Sequence, residues 1–238
     1  IHRYLEPFVG GGAMFFYLKA HYQIEQAYLF DNNRDLMICY QVLQKNHHGL
    51  IACLEELAST FLEKDQAGRK EFYYQIRERF NQQRLASDLQ NFNLAWIERA
   101  AFFIFLNKTC YNGLFRLNKK GEFNVPYGRY KTPRFYEPEN LKEIHQALQN
   151  TKLIWGDFTE AAKFVTKESF VYLDPPYRPL NSTSSFTAYS QSGFSDLDQE
   201  RLAVFYKKMD RKGAYLMLSN SDPKNENIKD DFFEILYQ

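Results

Sequence analysis

Short apolar runs that end in polar residues recur along this chain, separated by stretches whose apolar positions repeat at helical spacing. Tyr4 to Val9 is such a run and leads into Gly10-Gly11-Gly12, which reads as a buried strand entering a tight turn. Ala13 to His21 predicts a helix, and Ala27 to Phe30 a second buried strand ending at Asp31. Leu36 to Gln44, Leu50 to Leu62 and Phe72 to Phe80 carry helical stripes, and Leu94 to Leu106 is apolar enough for a buried helix. None of these stripes carries a cofactor pattern, so all are read as core. From Thr109 to Pro133 the helical period disappears. There Phe115-Arg116-Leu117 and Glu122-Phe123-Asn124-Val125 flank Asn118-Lys119-Lys120-Gly121, the turn chemistry of a β-hairpin. A helix is expected near Pro138 to Leu148. Strands follow at Lys152 to Trp155, Phe170 to Leu173 and Ala214 to Leu218, with a further one over Phe232 to Tyr237.

The pattern is α/β: strands with polar residues at their carboxyl ends lie on both sides of an inserted, mostly helical segment. The expected organisation is a first part over 1–48, an insertion over 49–150 and a final part over 151–238. In open α/β sheets ligands bind at the carboxyl ends of strands, so the polar residues there are site candidates. The length of 238 residues suffices for a substantial core. Aromatic residues make up 17% of the chain. They serve either as a ring-rich core or as a surface that stacks on flat ligands, and composition alone favours the core.

Net charge is only +1, so no global basic signal marks a nucleic-acid binder. Between Lys108 and Arg134, however, seven cations face a single anion, Glu122, and the hairpin lies within that stretch. Cys39, Cys53 and Cys110 are odd in number and form no CxxC pair, which argues against a disulfide framework or a metal cluster. No apolar run is long enough for a membrane span, and reduced thiols suit a cytoplasmic protein. The chain opens at Ile1 without an initiator Met and is read as trimmed.

Three features carry chemistry. A strand, a glycine turn and a helix, as in Glu6-Pro7-Phe8-Val9-Gly10-Gly11-Gly12, let backbone approach a ligand closely. A dinucleotide fingerprint would need glycine where the chain has Phe15, so a nucleoside or amino-acid moiety fits better than a pyrophosphate. Asp31 ends the second strand, where a carboxylate can accept from ribose hydroxyls or cap the next helix; beside the glycine turn, ribose is favoured. Asp174-Pro175-Pro176-Tyr177 is the sharpest feature. Its two prolines remove two amide donors, leaving the Pro175 carbonyl and the Asp174 carboxylate as acceptors. Two acceptors gripping both hydrogens of an aromatic amino group localise its lone pair for attack on a sulfonium methyl, and Tyr177 can stack on the base.

With these residues the chain resembles the Dam-type, D12 class DNA adenine-N6 methyltransferases, in the arrangement that puts target recognition between the cofactor turn and the catalytic motif. The resemblance implies a mixed, mostly parallel Rossmann-like methyltransferase sheet with an inserted helical and β-hairpin DNA-recognition region. It implies S-adenosyl-L-methionine as cofactor and S-adenosyl-L-homocysteine as product. Glu6, Phe8, Gly10, Gly12, Asp31, Asp157 and Phe158 would hold the cofactor, Asp157 receiving its adenine amino group. Asp174, Pro175, Pro176 and Tyr177 would be catalytic. Tyr111 to Arg116 and Gly121 to Tyr130 resemble the recognition hairpin of the GATC-specific branch. Leu114, Arg116 and Pro126 would then read base edges. Tyr111 and Asn112 would brace the space left by an extruded adenine, and Arg129 and Lys131, with Asn118 in the turn, would meet the DNA. Pro179 and Phe186-Thr187-Ala188-Tyr189 agree with the same branch, and Ser182 to Ser192 reads as a closing loop or a plain linker. The family's upstream Lys-x-Trp-Ala-Gly-Gly-Lys segment and final strand pair fall outside this chain, which is read as truncated at both ends.

The expected function is methyl transfer to adenine N6 in double-stranded DNA, in GATC and by base flipping, without a metal. A monomer suits a palindrome whose strands are modified separately. A restriction endonuclease would be a functional counterpart rather than a bound subunit. Two alternatives stay open at this point: a non-catalytic GATC- or cofactor-binding module, and a methyltransferase for RNA or a protein amide.

Overall fold

A computed structural model describes residues 1–86, 92–178 and 194–238. The expectations for Pro179 and for the loop at 182–192 fall outside the described residues. The chain forms two compact units: Ile1–Asn32 together with Asn150–Gln238, and Asn33–Gln149. The second unit therefore begins upstream of position 49, where the sequence reading starts the insertion.

The first unit is built on a parallel sheet. Its strands are β1 (Arg3–Glu6), β2 (Gln26–Asp31), β3 (Thr151–Trp155), β4 (Phe170–Leu173) and β5 (Tyr215–Leu218), in the order β3-β2-β1-β4-β5. All four pairings are parallel. Strand order reverses beside β1, so β1 and β4 flank the switch point at which such sheets bind ligands. Helices α1 (Ala13–His21), α6 (Asp196–Arg211) and α7 (Phe232–Tyr237) complete this unit. Period-two alternation sorts the side chains. Leu5, Phe30, Val171 and Leu173 point to one face, where Leu202, Phe205 and Met209 of α6 and Phe158 of a short 3-10 helix (Phe158–Lys163) cover them. Tyr4 and Phe170 point to the other, with ring centroids 5.7 Å apart.

Two expectations change here. Helix α6 fills a region for which the sequence reading gave no element. It is started by a capping box in which the Ser195 side chain accepts from the Asp198 amide and the Asp198 carboxylate accepts from the Ser195 amide. Phe232 to Tyr237 is the helix α7, not a strand. Asp230 accepts from the Phe232 amide at 3.1 Å and Lys224 pairs with Asp231 at 2.9 Å. Tyr237 meets Tyr206 of α6 edge-on at 5.4 Å, a contact that a helical turn supplies.

The second unit holds α2 (Arg34–Leu62), α3 (Gln66–Ala86), α4 (Ala95–Thr109) and α5 (Pro138–Ala147). Helix α2 joins the two expected helices across a kink at Asn46 (φ −151°, ψ 60°), whose side chain accepts from the Gly49 amide at 3.0 Å and restarts the helix. The core is aromatic: Phe61, Phe80, Phe102 and Phe105 are fully buried, and Phe105 stacks on Phe135 at 5.5 Å. The ring-rich composition thus goes largely into packing. Arg99 of α4 is also buried, pairing with Asp35 at 2.7 Å and donating to the Phe80 carbonyl at 2.9 Å. Between α4 and α5 the expected hairpin closes through isolated antiparallel bridges, Leu117 with Phe123 and Cys110 with Tyr127.

Candidate active site

The carboxyl ends of β1, β2, β3 and β4 each deliver an acid. Glu6 ends β1, Asp31 ends β2, Asp157 follows β3 and Asp174 follows β4. Between β1 and α1 the chain turns through Gly10 (φ +48°) and Gly12 (φ +70°), backbone that a side chain would strain. The Val9 amide donates to the Phe30 carbonyl at 2.9 Å, and the Gly10 amide donates to the Asp31 carboxylate at 3.0 Å. Asp31 is therefore part of the glycine turn. The cap of α2 is Asn33, whose side chain accepts from the Leu36 amide at 3.2 Å, so the competing reading of Asp31 as a helix cap does not hold.

A Cβ added at Gly10 or Gly11 would meet no heavy atom within 4 Å, and the cap of α1 is a glycine, Gly12, without a side chain of its own. The turn thus faces open space at the start of α1, as close approach of a nucleoside-bearing ligand requires. Asp157 starts the short 3-10 helix, accepting from the Thr159 amide at 3.0 Å, and both its oxygens lie 2.9 Å from Arg201 Nη2. Burial alone would raise its carboxyl, but the hydrogen bonds from Thr159 and the Arg201 guanidinium hold it below the usual carboxylate range. Phe8 stacks on Phe158 at 5.2 Å, and the Arg201 guanidinium lies over Phe158 at 5.0 Å. These residues fit S-adenosylmethionine: a carboxylate for the ribose, an open glycine turn and an aromatic wall beside a second carboxylate.

Asp174 is exposed, Pro175 is buried and Tyr177 is 51% exposed. Beside them lies a polar cluster around Glu6 whose other members, Tyr4 and Tyr172, the sequence reading did not name. Tyr4 donates to the Glu6 carboxylate at 2.7 Å, and Glu6 is buried to 2% exposure. Burial pushes Glu6 up to about 7; hydrogen bonds from the Tyr4 hydroxyl and the Phe15 amide oppose the rise, and the Asp174 charge adds to it. The Tyr172 hydroxyl is raised by burial and by its hydrogen bond to the Asp174 carboxylate. Tyr4-x-Glu6 and Tyr172-x-Asp174 share a period-two spacing on adjacent strands, a signal the sequence did contain. The Tyr177 hydroxyl shares a hydrogen bond with Ser219.

In the second unit, the hairpin presents Arg116, Lys119, Lys120, Pro126, Arg129 and Lys131 as exposed residues. Arg116 Nε donates to Asn124 Oδ1 at 2.8 Å. Asn118 organises the turn: its carbonyl oxygen accepts from the Lys120 and Glu122 amides at 2.9 and 3.0 Å, and its amide donates to the Glu122 carboxylate at 2.7 Å. Tyr111 and Asn112 form a 3-10 turn with Asn112 at φ +54°, and Tyr111 is 53% exposed. Leu114 is half-buried. Helix α3 supplies what a neighbouring strand would. Tyr73 donates to the Val125 carbonyl at 2.8 Å, with Arg77 reaching the same oxygen at 3.3 Å. Asn81 brackets Phe123, accepting from its amide at 2.8 Å and donating to its carbonyl at 3.1 Å. Residues 73, 77 and 81 lie at four-residue spacing, one face of a helix.

The described residues contain no group of His, Cys, Asp and Glu that could hold a metal ion, and no helix among them is long and apolar enough to cross a membrane. The sequence profile of the D12 class N6 adenine-specific DNA methyltransferases matches residues 1–238. The chain is 51% identical over 238 residues to the type II methyltransferase M.MjaIII of Methanocaldococcus jannaschii, covering all of this chain and 78% of that protein. It is 38% identical over 234 residues to the type II methyltransferase M1.LlaDCHI of Lactococcus lactis subsp. cremoris, covering 97% and 76%. Against the DNA adenine methylase of Haemophilus influenzae it is 36% identical over 221 residues, covering 92% and 71%. With a parallel sheet ending in four acids and a match along its whole length, the chain belongs to the D12 class N6 adenine-specific DNA methyltransferases, enzymes that take their methyl group from S-adenosylmethionine.

Proposed function

We propose that the protein methylates adenine N6 within GATC in duplex DNA, extruding the adenine, and that Asp174-Pro175-Pro176-Tyr177 carries the reaction. The observation that supports this most is the exposed Asp174 carboxylate at the end of β4, next to a buried proline. S-adenosylmethionine supplies an electrophilic sulfonium methyl when bound. Asp174 and the Pro175 carbonyl accept the two amino hydrogens of adenine, drawing N6 toward tetrahedral geometry. The Asp174 carboxylate has acceptor sites to spare for the substrate. Asp174 need not be a strong base, because the amino group attacks before it loses its proton, which then passes to solvent. An adenine inside a duplex cannot present N6 to the strand ends, so extrusion follows from the chemistry, and Tyr177 offers a stacking face. Glu6, Phe8, Gly10, Gly12, Asp31, Asp157 and Phe158 would bind the cofactor. Asp157 Oδ2, taken up only by Arg201 among the described residues, keeps a lone pair for an amino group.

Arg116, Leu114 and Pro126 would read bases, with Arg129, Lys131 and the exposed lysines of the turn on phosphates. The Asn118 side chain is committed to the turn, so its contribution to DNA binding would be to shape the hairpin. Relatives named type II methyltransferases support a restriction-modification role, with the endonuclease a separate protein. Incubating plasmid DNA with the protein and S-[methyl-³H]adenosylmethionine tests the reading. Label should enter DNA, and GATC sites should resist a nuclease blocked by their methylation. Label with cleavable GATC sites would overturn the target; no label would overturn the activity.

A further inference from the structure

We propose that Gln199 is a positioning residue for the catalytic loop, holding the Pro176 carbonyl away from the substrate so that the Pro175 carbonyl and Tyr177 keep their working orientation. The proposal rests on the reading of Asp174 to Tyr177 as the catalytic motif. Gln199 lies in the first turns of α6 and is fully buried, at 0% exposure. Its Nε2 donates to the Pro176 carbonyl at 3.3 Å, and its Oε1 accepts from Asn220 Nδ2 at 3.0 Å.

The loop needs such a partner. Neither Pro175 nor Pro176 has an amide hydrogen, so the segment leaving β4 cannot be fixed through backbone donors and depends on its carbonyls and side chains. Three successive residues are fixed in that way. Pro176 is held by Gln199, Tyr177 by Ser219, and the Arg178 carbonyl accepts from the Ser221 hydroxyl at 3.1 Å. The other anchors come from the residues just after β5, and Asn220 joins the two sets because it binds Gln199 and accepts from the Ser221 amide at 2.9 Å. The capping box at Ser195 and Asp198 fixes the start of α6 and so the place of Gln199. A displacement of about 1 Å in a positioned group can cost on the order of 100-fold in rate.

The test compares Gln199→Leu, Gln199→Glu and Asn220→Ala in the full chain, with kcat, the KM for S-adenosylmethionine, DNA affinity and thermal midpoint measured together. Gln199→Leu should lower kcat about 10- to 100-fold with both binding constants within about twofold of wild type. Gln199→Glu keeps the acceptor for Asn220 but regains a donor to Pro176 only when protonated. Burial raises its carboxyl, so its kcat relative to wild type should recover as pH falls, whereas that of Gln199→Leu should stay flat. Asn220→Ala should show a smaller kcat loss. Unchanged kcat in folded Gln199→Leu, or pH-independent activity in Gln199→Glu, would overturn the proposal. If Gln199→Leu does not fold, the Gln199→Glu profile decides. Should Asp174→Ala remain active, the catalytic reading itself has failed; a dead Asp174→Ala beside fully active Gln199 variants defeats only this inference.

Discussion

The two units hold their functional residues by different means. In the sheet unit each acid stands at or just after the last residue of a parallel strand, so the register of the sheet places Glu6, Asp31, Asp157 and Asp174 and side chains then orient them. In the helical unit the hairpin arm is closed by single bridges and a few backbone bonds, such as Asn124 N–H to the Arg116 carbonyl at 3.1 Å, and Tyr73, Arg77 and Asn81 of α3 satisfy further backbone groups at 123 and 125. Strand ends give a fixed frame for chemistry that every member of such a family must perform. A hairpin held by side chains can change its sequence and its lean without disturbing a sheet, which suits a surface whose task is to choose a target.

The comparison can be broken most strongly at Glu6, where the sheet unit keeps a buried acid. Its carboxyl sits at about 7 in the fold against an ordinary 4.5, so the folded state binds the proton more tightly than the unfolded chain. Its stabilising contribution is therefore complete below about pH 4.5 and is lost as pH rises to about 7, on the order of 3 kcal/mol at most. In denaturation of wild type and Glu6→Gln over that range, wild type should lose stability relative to Glu6→Gln as pH rises; parallel curves would show that Glu6 is not held neutral by the fold. A crossed pair of substitutions sharpens the division of labour. Asp31→Ala should weaken S-adenosylmethionine binding by about 1.5–3 kcal/mol and leave sequence preference intact. Arg116→Ala should cost about 1–3 kcal/mol of discrimination between target and near-target DNA with cofactor binding unchanged. Cofactor titration and methylation of variant duplexes read the two effects, and any exchange of phenotypes would refute the assignment. Smaller still, Asn81→Ala leaves the Phe123 amide and carbonyl without their bracket. It should destabilise the hairpin by about 1–2 kcal/mol and partly relax target choice, read by hydrogen exchange at residues 115–125 and by the same duplexes.

What could be read from the sequence follows the same division. Strand β4 is expected and found at Phe170–Leu173, because a buried run that meets two prolines has only one place to stop. The acids at the strand ends were legible for the same reason. The helix α6 was not anticipated, since the serine-rich stretch before it reads as loop. Yet Ser195 with Asp198 three residues on, then Leu202, Phe205 and Met209, is a capping signal followed by a helical stripe. Ser219 stands at the polar end of an expected strand, but neither its pairing with Tyr177 nor Gln199 could be found that way, because partners of a proline loop are set by tertiary packing. Residues 73, 77 and 81 read as one helical face, but nothing in the chain says that its partner is the backbone at 123–125. Phe232 to Tyr237 reads as a strand because a short, mostly apolar run fits a strand as well as a short helix, and the contact with Tyr206 favours the helix.

The central claim is that Asp174 at the end of β4 grips the amino group that receives the methyl. Single-turnover transfer of labelled methyl from S-adenosylmethionine to a duplex bearing the target, by wild type and Asp174→Ala, tests it directly when paired with DNA binding by the same preparations. The account predicts that transfer by Asp174→Ala falls by about 1000-fold or more, the scale on which a preorganised polar group acts, while the duplex is bound within about threefold of wild type. Transfer at the wild-type rate by a folded, DNA-binding Asp174→Ala would contradict it.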